Sequence, residues 1–339
     1  MLFRYGVIFC LCFFRTGYTQ AQLPSDMHNL AISSISCVYN EKFKEAKNYA
    51  KRIIKNYSNH PAGYFFYAAI LNSQMEYLQS EEYEAEFYQY CDNAITKGEE
   101  LQEKEPDDVW VKFFIAGANG LKGTYESRYK RWLTAFKHGW RGVVLLKEVL
   151  ETNAKVIDAQ YGIATYDYWR SAKTKMLWWL PGVEDKRKPA IKILYEVLDK
   201  ATYVRENTAL NLIDMLLNEK RYDEALQVAN KLLSQYPTSL VIMWRKAEAQ
   251  LGLRVLEEAE ITYKSILKRV EAGSFESNYN ITVCHYFLSK VYLYQKKYKQ
   301  CLDAIEAMES FKLSSVSKKR LEDIYDDAAT AKKIAQKKL

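Results

Sequence analysis

Hydrophobic positions along the chain recur most regularly between Glu219 and Pro237, where Ala225, Val228, Ala229, Leu232 and Leu233 follow the i, i+3, i+4, i+7 rule of one helical face. The spacing predicts an amphipathic helix that stops before Pro237. Leu240 to Leu251 and Glu257 to Lys268 follow as a second helical pair, and Ala225 to Ala259 is a step of 34 residues. A small or apolar residue on one helix is answered twelve positions later on the next at Ile213/Ala225, Ala247/Ala259, Ser289/Cys301 and Ser34/Ala46. Three positions before each second member stands a large apolar residue: Tyr222, Leu256, Tyr298 and Phe43. Small side chains at such positions let two helices approach closely, and the large residue seals the turn end of the pair.

The register of these residues resembles tetratricopeptide repeats most clearly over residues 206 to 310. The resemblance implies an all-α, tetratricopeptide-like α-solenoid of antiparallel helix pairs. The step from Ala259 to Cys301 exceeds one repeat, and the excess falls in Val270 to Asn278, where Gly273 and the serines mark a loop.

Upstream, the helix-pair rhythm continues with longer, less regular helices at 61 to 78 with 82 to 104, 108 to 125 with 127 to 152, and 155 to 178 with 184 to 201. Pro61, Pro106, Pro181 and Pro189 punctuate them, and Pro189 suits an early helical turn. The organisation read from the chain is therefore a leader at 1–21, helical-pair repeats at 22–203, tetratricopeptide repeats at 204–312 and a charged capping helix at 313–339. The stretch Tyr161-Gly-Ile-Ala-Thr-Tyr-Asp-Tyr-Trp169, with Lys173 and Leu177-Trp-Trp-Leu-Pro-Gly182, resembles exported bacterial tetratricopeptide proteins. These are distantly similar to a eukaryotic mitochondrial outer-membrane family associated with inclusion-body and lipid-droplet handling. Pro189-Ala190 departs from the glycine such relatives often carry there. The resemblance implies a helical scaffold and supplies no catalytic residue.

Composition sharpens the picture in three places. Only 13 Gly and 6 Pro in 339 residues leave few tight turns for strands, and the 48% hydrophobic fraction is ample for a core. A basic start at Arg4, an apolar run from Tyr5 to Phe14 and Thr19-Gln20-Ala21 fit a cleaved secretory signal, which implies export to a periplasm or extracellular space. The apolar run is too short to span a bilayer, so the mature chain is expected not to cross one. Removing Arg4 and Arg15 lowers the formal charge from +7 to +5 (7 − 2). Because acids and bases interleave along the chain, a nucleic-acid footprint is not expected. Cys37, Cys91, Cys284 and Cys301 lack metal-ligand spacing and read as small buried side chains.

Catalytic chemistry finds little support. His28, His60, His138 and His285 stand far apart, with no second histidine one turn away. Gly117-Ala-Asn-Gly-Leu-Lys-Gly-Thr124 has its lysine before the last glycine, unlike a phosphate loop, and reads instead as Gly117 and Gly120 permitting close helix packing. Glu81-Glu82 and Glu257-Glu258 read as solvated helix faces. No cofactor or metal is called for. If 155 to 178 is one helix, Asp158, Tyr161, Thr165, Tyr168, Trp169 and Lys173 fall on adjoining stripes. They form the candidate partner-binding site, suited to a peptide or protein in a concave groove. The alternative is an apolar pocket for a lipid or small ligand, walled by Trp178 and Trp179.

Overall fold

Every regular element of the computed structural model, which describes residues 23–173, 184–273 and 277–339, is an α-helix. Seven antiparallel pairs follow in chain order: α1 (Ser25–Tyr39) with α2 (Phe43–Asn56), α3 (Pro61–Leu78) with α4 (Glu84–Gln102), α5 (Val109–Arg128) with α6 (Trp132–Thr152), and α7 (Asp158–Lys173) with α8 (Arg187–Lys200). Then come α9 (Arg205–Asn218) with α10 (Tyr222–Gln235), α11 (Leu240–Gly252) with α12 (Leu256–Ala272), and α13 (Asn278–Tyr294) with α14 (Tyr298–Ser310). Pro61 opens α3 and Pro189 lies in the first turn of α8, where a missing N–H costs little.

The twelve-residue register has a physical basis. Both members of all four pairs are buried, and Ser34 donates its hydroxyl to the Ala46 carbonyl at 3.2 Å. Phe43, Tyr222, Leu256 and Tyr298 are each the first residue of the second helix. Two residues before each, the chain turns through left-handed backbone at Glu41, Lys220, Arg254 and Lys296. The next N–H then closes onto a carbonyl five residues back: Lys42 onto Cys37, Arg221 onto Leu216, Val255 onto Gln250, and Lys297 onto Tyr292. A fifth pair shares this geometry. Lys130 is left-handed, Arg131 closes onto Glu126, Trp132 opens α6, and Gly123 stands twelve residues before Ala135.

Several boundaries differ from expectation: α6 opens at Trp132 and not at 127, and α7 at Asp158 and not at 155. The tail is two helices, α15 (Ser315–Arg320) and α16 (Glu322–Gln336), because Leu321 is buried between them. Helix α16 lays Ala328, Ala331 and Ala335 against the last pair. Helix α7 is described to Lys173, so Trp178, Trp179 and Pro181 lie outside the described residues. Cys91, Cys284 and Cys301 are buried, whereas Cys37 is half-buried; all four are free thiols.

The superhelix coils back on itself. Tyr39 of α1 donates to Asn207 of α9, and Glu41 accepts from the Leu240 N–H and from Arg269 Nη2 at 2.8 Å. Ser277 Oγ donates to Leu78 O at 3.2 Å, Asn280 Nδ2 to Tyr77 O at 3.0 Å, and Arg320 to Gln79. These contacts tie the first two pairs to the fifth, sixth and seventh. In the interior of the superhelix Arg245 of α11 grips Asp214 of α9 through Nε at 2.7 Å and Nη2 at 2.8 Å, and reaches Glu76 of α3 at 3.5 Å.

Candidate functional site

Where pairs three and four meet, the helices part around a mostly apolar cavity of about 380 Å³. Phe65 and Phe113 line it from α3 and α5, Trp132, Phe136 and Leu146 from α6, and Tyr166 and Trp169 from α7. Six of its lining residues are glycines: Gly117, Gly120 and Gly123 on α5, Gly139 and Gly142 on α6, and Gly162 on α7. Asn207 and Asn211 of α9 close one end, and Lys173 reaches the rim.

Glycine serves two ends in this wedge. A Cβ at Gly123 would stand 3.0 Å from the Ala135 carbonyl oxygen, and one at Gly142 would stand 2.9 Å from that of Ala116. These two residues let α5 and α6 touch backbone to backbone. At Gly120 an added Cβ would meet no heavy atom within 4 Å. Gly120 is thus not a packing glycine as its spacing suggested; it opens onto the cavity. Gly117 does pack closely, but against the Phe65 ring, 2.6 Å from its would-be Cβ.

The six residues of the sequence-derived site are divided by the fold. Tyr161, Thr165, Trp169 and Lys173 line the cavity. Tyr161 accepts a hydrogen bond from Asn211 Nδ2 at 2.7 Å, and burial pushes its phenol pKa up. Lys173 holds its ammonium 4.3 Å from the Trp132 ring centroid, a cation–π contact. Asp158 also borders the cavity, but its carboxylate is already engaged. It accepts from the backbone N–H groups of Thr202, Tyr203 and Val204, at 2.6 Å from Tyr203, and so pins the link between α8 and α9. Burial raises its pKa, and those three donors act against the rise.

Tyr168 belongs to the core. Its side chain is fully buried, donates to the Met215 carbonyl at 3.1 Å, and accepts from Asn218 Nδ2 at 2.7 Å. A partner cannot reach it. The helical stripe that grouped Tyr168 with Trp169 ignores that an inner helix of a solenoid has neighbours on both sides; Tyr168 faces α9. The residues missed from sequence are Trp132, Phe136, Gly120, Asn207 and Asn211. Their visible trace is a pair of glycines three apart on each helix, Gly120/Gly123 and Gly139/Gly142, but only the crossing of α5 and α6 brings them together.

Two of the histidines have structural partners. His60 Nδ1 accepts from the Ala62 N–H at the start of α3, and His28 Nδ1 lies 2.8 Å from the Tyr203 hydroxyl. Burial lowers the pKa of His60, against the pull of Asp108, which raises it. Glu81, Glu82, Glu257 and Glu258 are all exposed. Among the described residues no helix is long and apolar enough to cross a membrane.

Comparison with known proteins follows the same lines. The Tetratricopeptide repeat family model matches residues 208–239, which span most of α9 and all of α10. No curated protein matches the chain. A Rap protein solved in complex with competence and sporulation factor shares 12% identity at a TM-score of 0.48, over 90% of this chain and 79% of that one. A thermophilic TPR protein of Thermus thermophilus shares 16% at 0.42, over 66% of this chain and 99% of that one. A tetratricopeptide repeat protein of Parabacteroides merdae shares 12% at 0.39, over 90% and 100%. The fold assignment rests on the seven helix pairs and on the register that five of them share. Residues 208–239 are a tetratricopeptide repeat, set within an all-α solenoid of the tetratricopeptide kind.

Proposed function

We propose that this chain is a non-catalytic, exported scaffold that binds a peptide segment of a protein partner, anchoring an apolar side chain in the cavity between α5, α6 and α7. The observation that carries the reading is the pairing of aromatic walls with a few convergent polar groups. Trp132, Phe136 and Trp169 offer apolar area, while Asn207 and Asn211 can hydrogen-bond a main chain. The Tyr39 and Tyr161 hydroxyls orient those two asparagine amides, which reduces the ordering cost of binding. At about 380 Å³ the space lies near the lower end of small-ligand pockets, roughly 300–1,000 Å³, and suits one or two anchor side chains.

A second reading, a small apolar or lipid ligand, draws on the same mostly apolar lining. Affinity purification from envelope extract, comparing the mature chain with Gly120→Leu, separates the two. A peptide or protein retained by the wild type and lost by the variant supports the scaffold. An extractable lipid without protein supports the carrier, and equal recovery from both chains sinks this cavity as the site. Export has its own test: amino-terminal sequencing of the protein from its host should begin at Gln22, and an intact Met1 would overturn the leader reading.

A further inference from the structure

The outer face of α6 leaves large apolar side chains open to solvent, although Trp140 meets Tyr166 at 6.3 Å between ring centroids and Trp132 meets Lys173. Leu133 is 89% exposed and Trp140 51%, with Trp132 and Val144 also open to solvent. At 100° per residue, Trp132, Phe136, Trp140, Leu133 and Val144 share an arc of about 120°, and Lys137 and Arg141 lie just beyond it. From Ser127 to Lys147 the chain carries six cations and no acid. Arg128, Lys130 and Arg131 are held by Glu76, Asp323, Glu84 and Glu126. Lys137, Arg141 and Lys147 are exposed and form no ion pair among the described residues, and Lys147 lies 5.8 Å from the Trp140 ring.

We infer that this face docks the protein onto an anionic bilayer surface, with Leu133, Trp140 and Val144 in the headgroup boundary and Lys137, Arg141 and Lys147 against lipid phosphates. Two observations favour a bilayer over a protein. Leu133 and Trp140 stand outside the cavity lining on an outward-facing arc, and a bilayer needs no matching shape where a protein interface does. The unpaired charge is mainly cationic, Lys137, Arg141 and Lys147 against Glu151 in the last turn of α6, as an anionic surface requires, and tryptophan is the side chain best suited to a boundary that is apolar on one side and wet on the other. The inference does not depend on what fills the cavity, although Trp132 and Phe136 belong to both surfaces.

The test is flotation of the mature protein with vesicles of phosphatidylcholine alone or containing about a third phosphatidylglycerol, at low and high salt. Binding is expected on the anionic vesicles, weakened by salt. Lys137→Ala/Arg141→Ala should lower the partition coefficient by about fivefold per cation on anionic vesicles only. Leu133→Asn/Trp140→Ala should lower it by about tenfold per residue on any vesicle that binds. These positions are exposed, so unchanged melting of the variants separates lost docking from lost fold. Absence of flotation by the wild type, or variants that float as well as it does, overturns the inference. Capture of a protein through Leu133 and Trp140 without any vesicle binding would overturn it too, marking the face as a protein interface.

Discussion

Gly120 offers the sharpest test of whether the cavity exists in solution. It lies in the middle of α5, where glycine costs about 0.5–1 kcal/mol relative to alanine through the freedom it retains when unfolded. Because a Cβ there meets nothing within 4 Å, Gly120→Ala should recover that amount without strain. Gly123→Ala gains the same backbone term, but its methyl would press on the Ala135 carbonyl oxygen at 3.0 Å and the Gly139 nitrogen at 3.2 Å. Neither is the end of a flexible side chain, so α5 and α6 must separate, at about 1–3 kcal/mol. The two substitutions, one turn apart and chemically identical, should therefore differ by about 1–3 kcal/mol in urea unfolding and move the melting temperature in opposite directions. Equal destabilisation by both would mean that the wedge is closed in solution, and the reasoning from the cavity to a ligand would fall with it.

Three further predictions test the surrounding frame. Arg245→Met strands Asp214, whose pKa burial already raises despite the guanidinium; about 2–3 kcal/mol should be lost near neutrality. Since the fold disfavours the ionised carboxyl, that loss should shrink as pH falls below Asp214's elevated pKa in a melting series, and a pH-independent loss would exclude the stranded charge as its cause. Lys220→Gly should stabilise by about 0.5–1 kcal/mol in chemical unfolding, because Lys220 turns through φ 58° at an exposed site; destabilisation would show that its side chain contributes more than its backbone costs. Burial alone would raise Glu260's carboxyl, yet hydrogen bonds from Lys264 and Lys297 prevail and hold it down at about 2. Its stabilisation is present above the ordinary glutamate range and disappears as pH falls towards 2. Glu260→Gln should thus cost about 1–2 kcal/mol near neutrality after allowance for solvent screening, and the same penalty persisting in strong acid would refute the charge account.

The helix pairs were legible in the sequence because their determinants are local. A small residue, an intervening turn and a large first residue recur within about fifteen positions, as at Ser34, Phe43 and Ala46. The pair of α5 and α6 carries the same marks in Gly123, Trp132 and Ala135, but a start of α6 at 127 places the turn at Lys130 inside the helix and hides the register. The site was less legible, because it depends on which face of α7 meets which neighbour. About two turns and one turn of helix separate Tyr161 and Thr165, at the cavity, from Tyr168, whose hydroxyl is taken up by Met215 and Asn218 of α9. Periodicity places all of them on adjoining stripes and cannot say which stripe is covered. Asp158 shows the same limit: its three backbone donors lie more than forty residues away.

Glu41 and the turn at Tyr77 and Leu78 bear on how this molecule comes apart. A repeat array ordinarily behaves as a one-dimensional chain in which each unit feels only its neighbours, so ends fray and units can be deleted. Here Glu41 is bound to Leu240 and Arg269, and Tyr77 and Leu78 to Asn280 and Ser277, contacts spanning 199 to 228 residues of sequence. Such ties make the first pairs part of the sixth and seventh. Deleting α1 and α2 should therefore lower hydrogen-exchange protection in α11 and α12 as well as in α3, a cooperativity in which the two ends of the chain melt together.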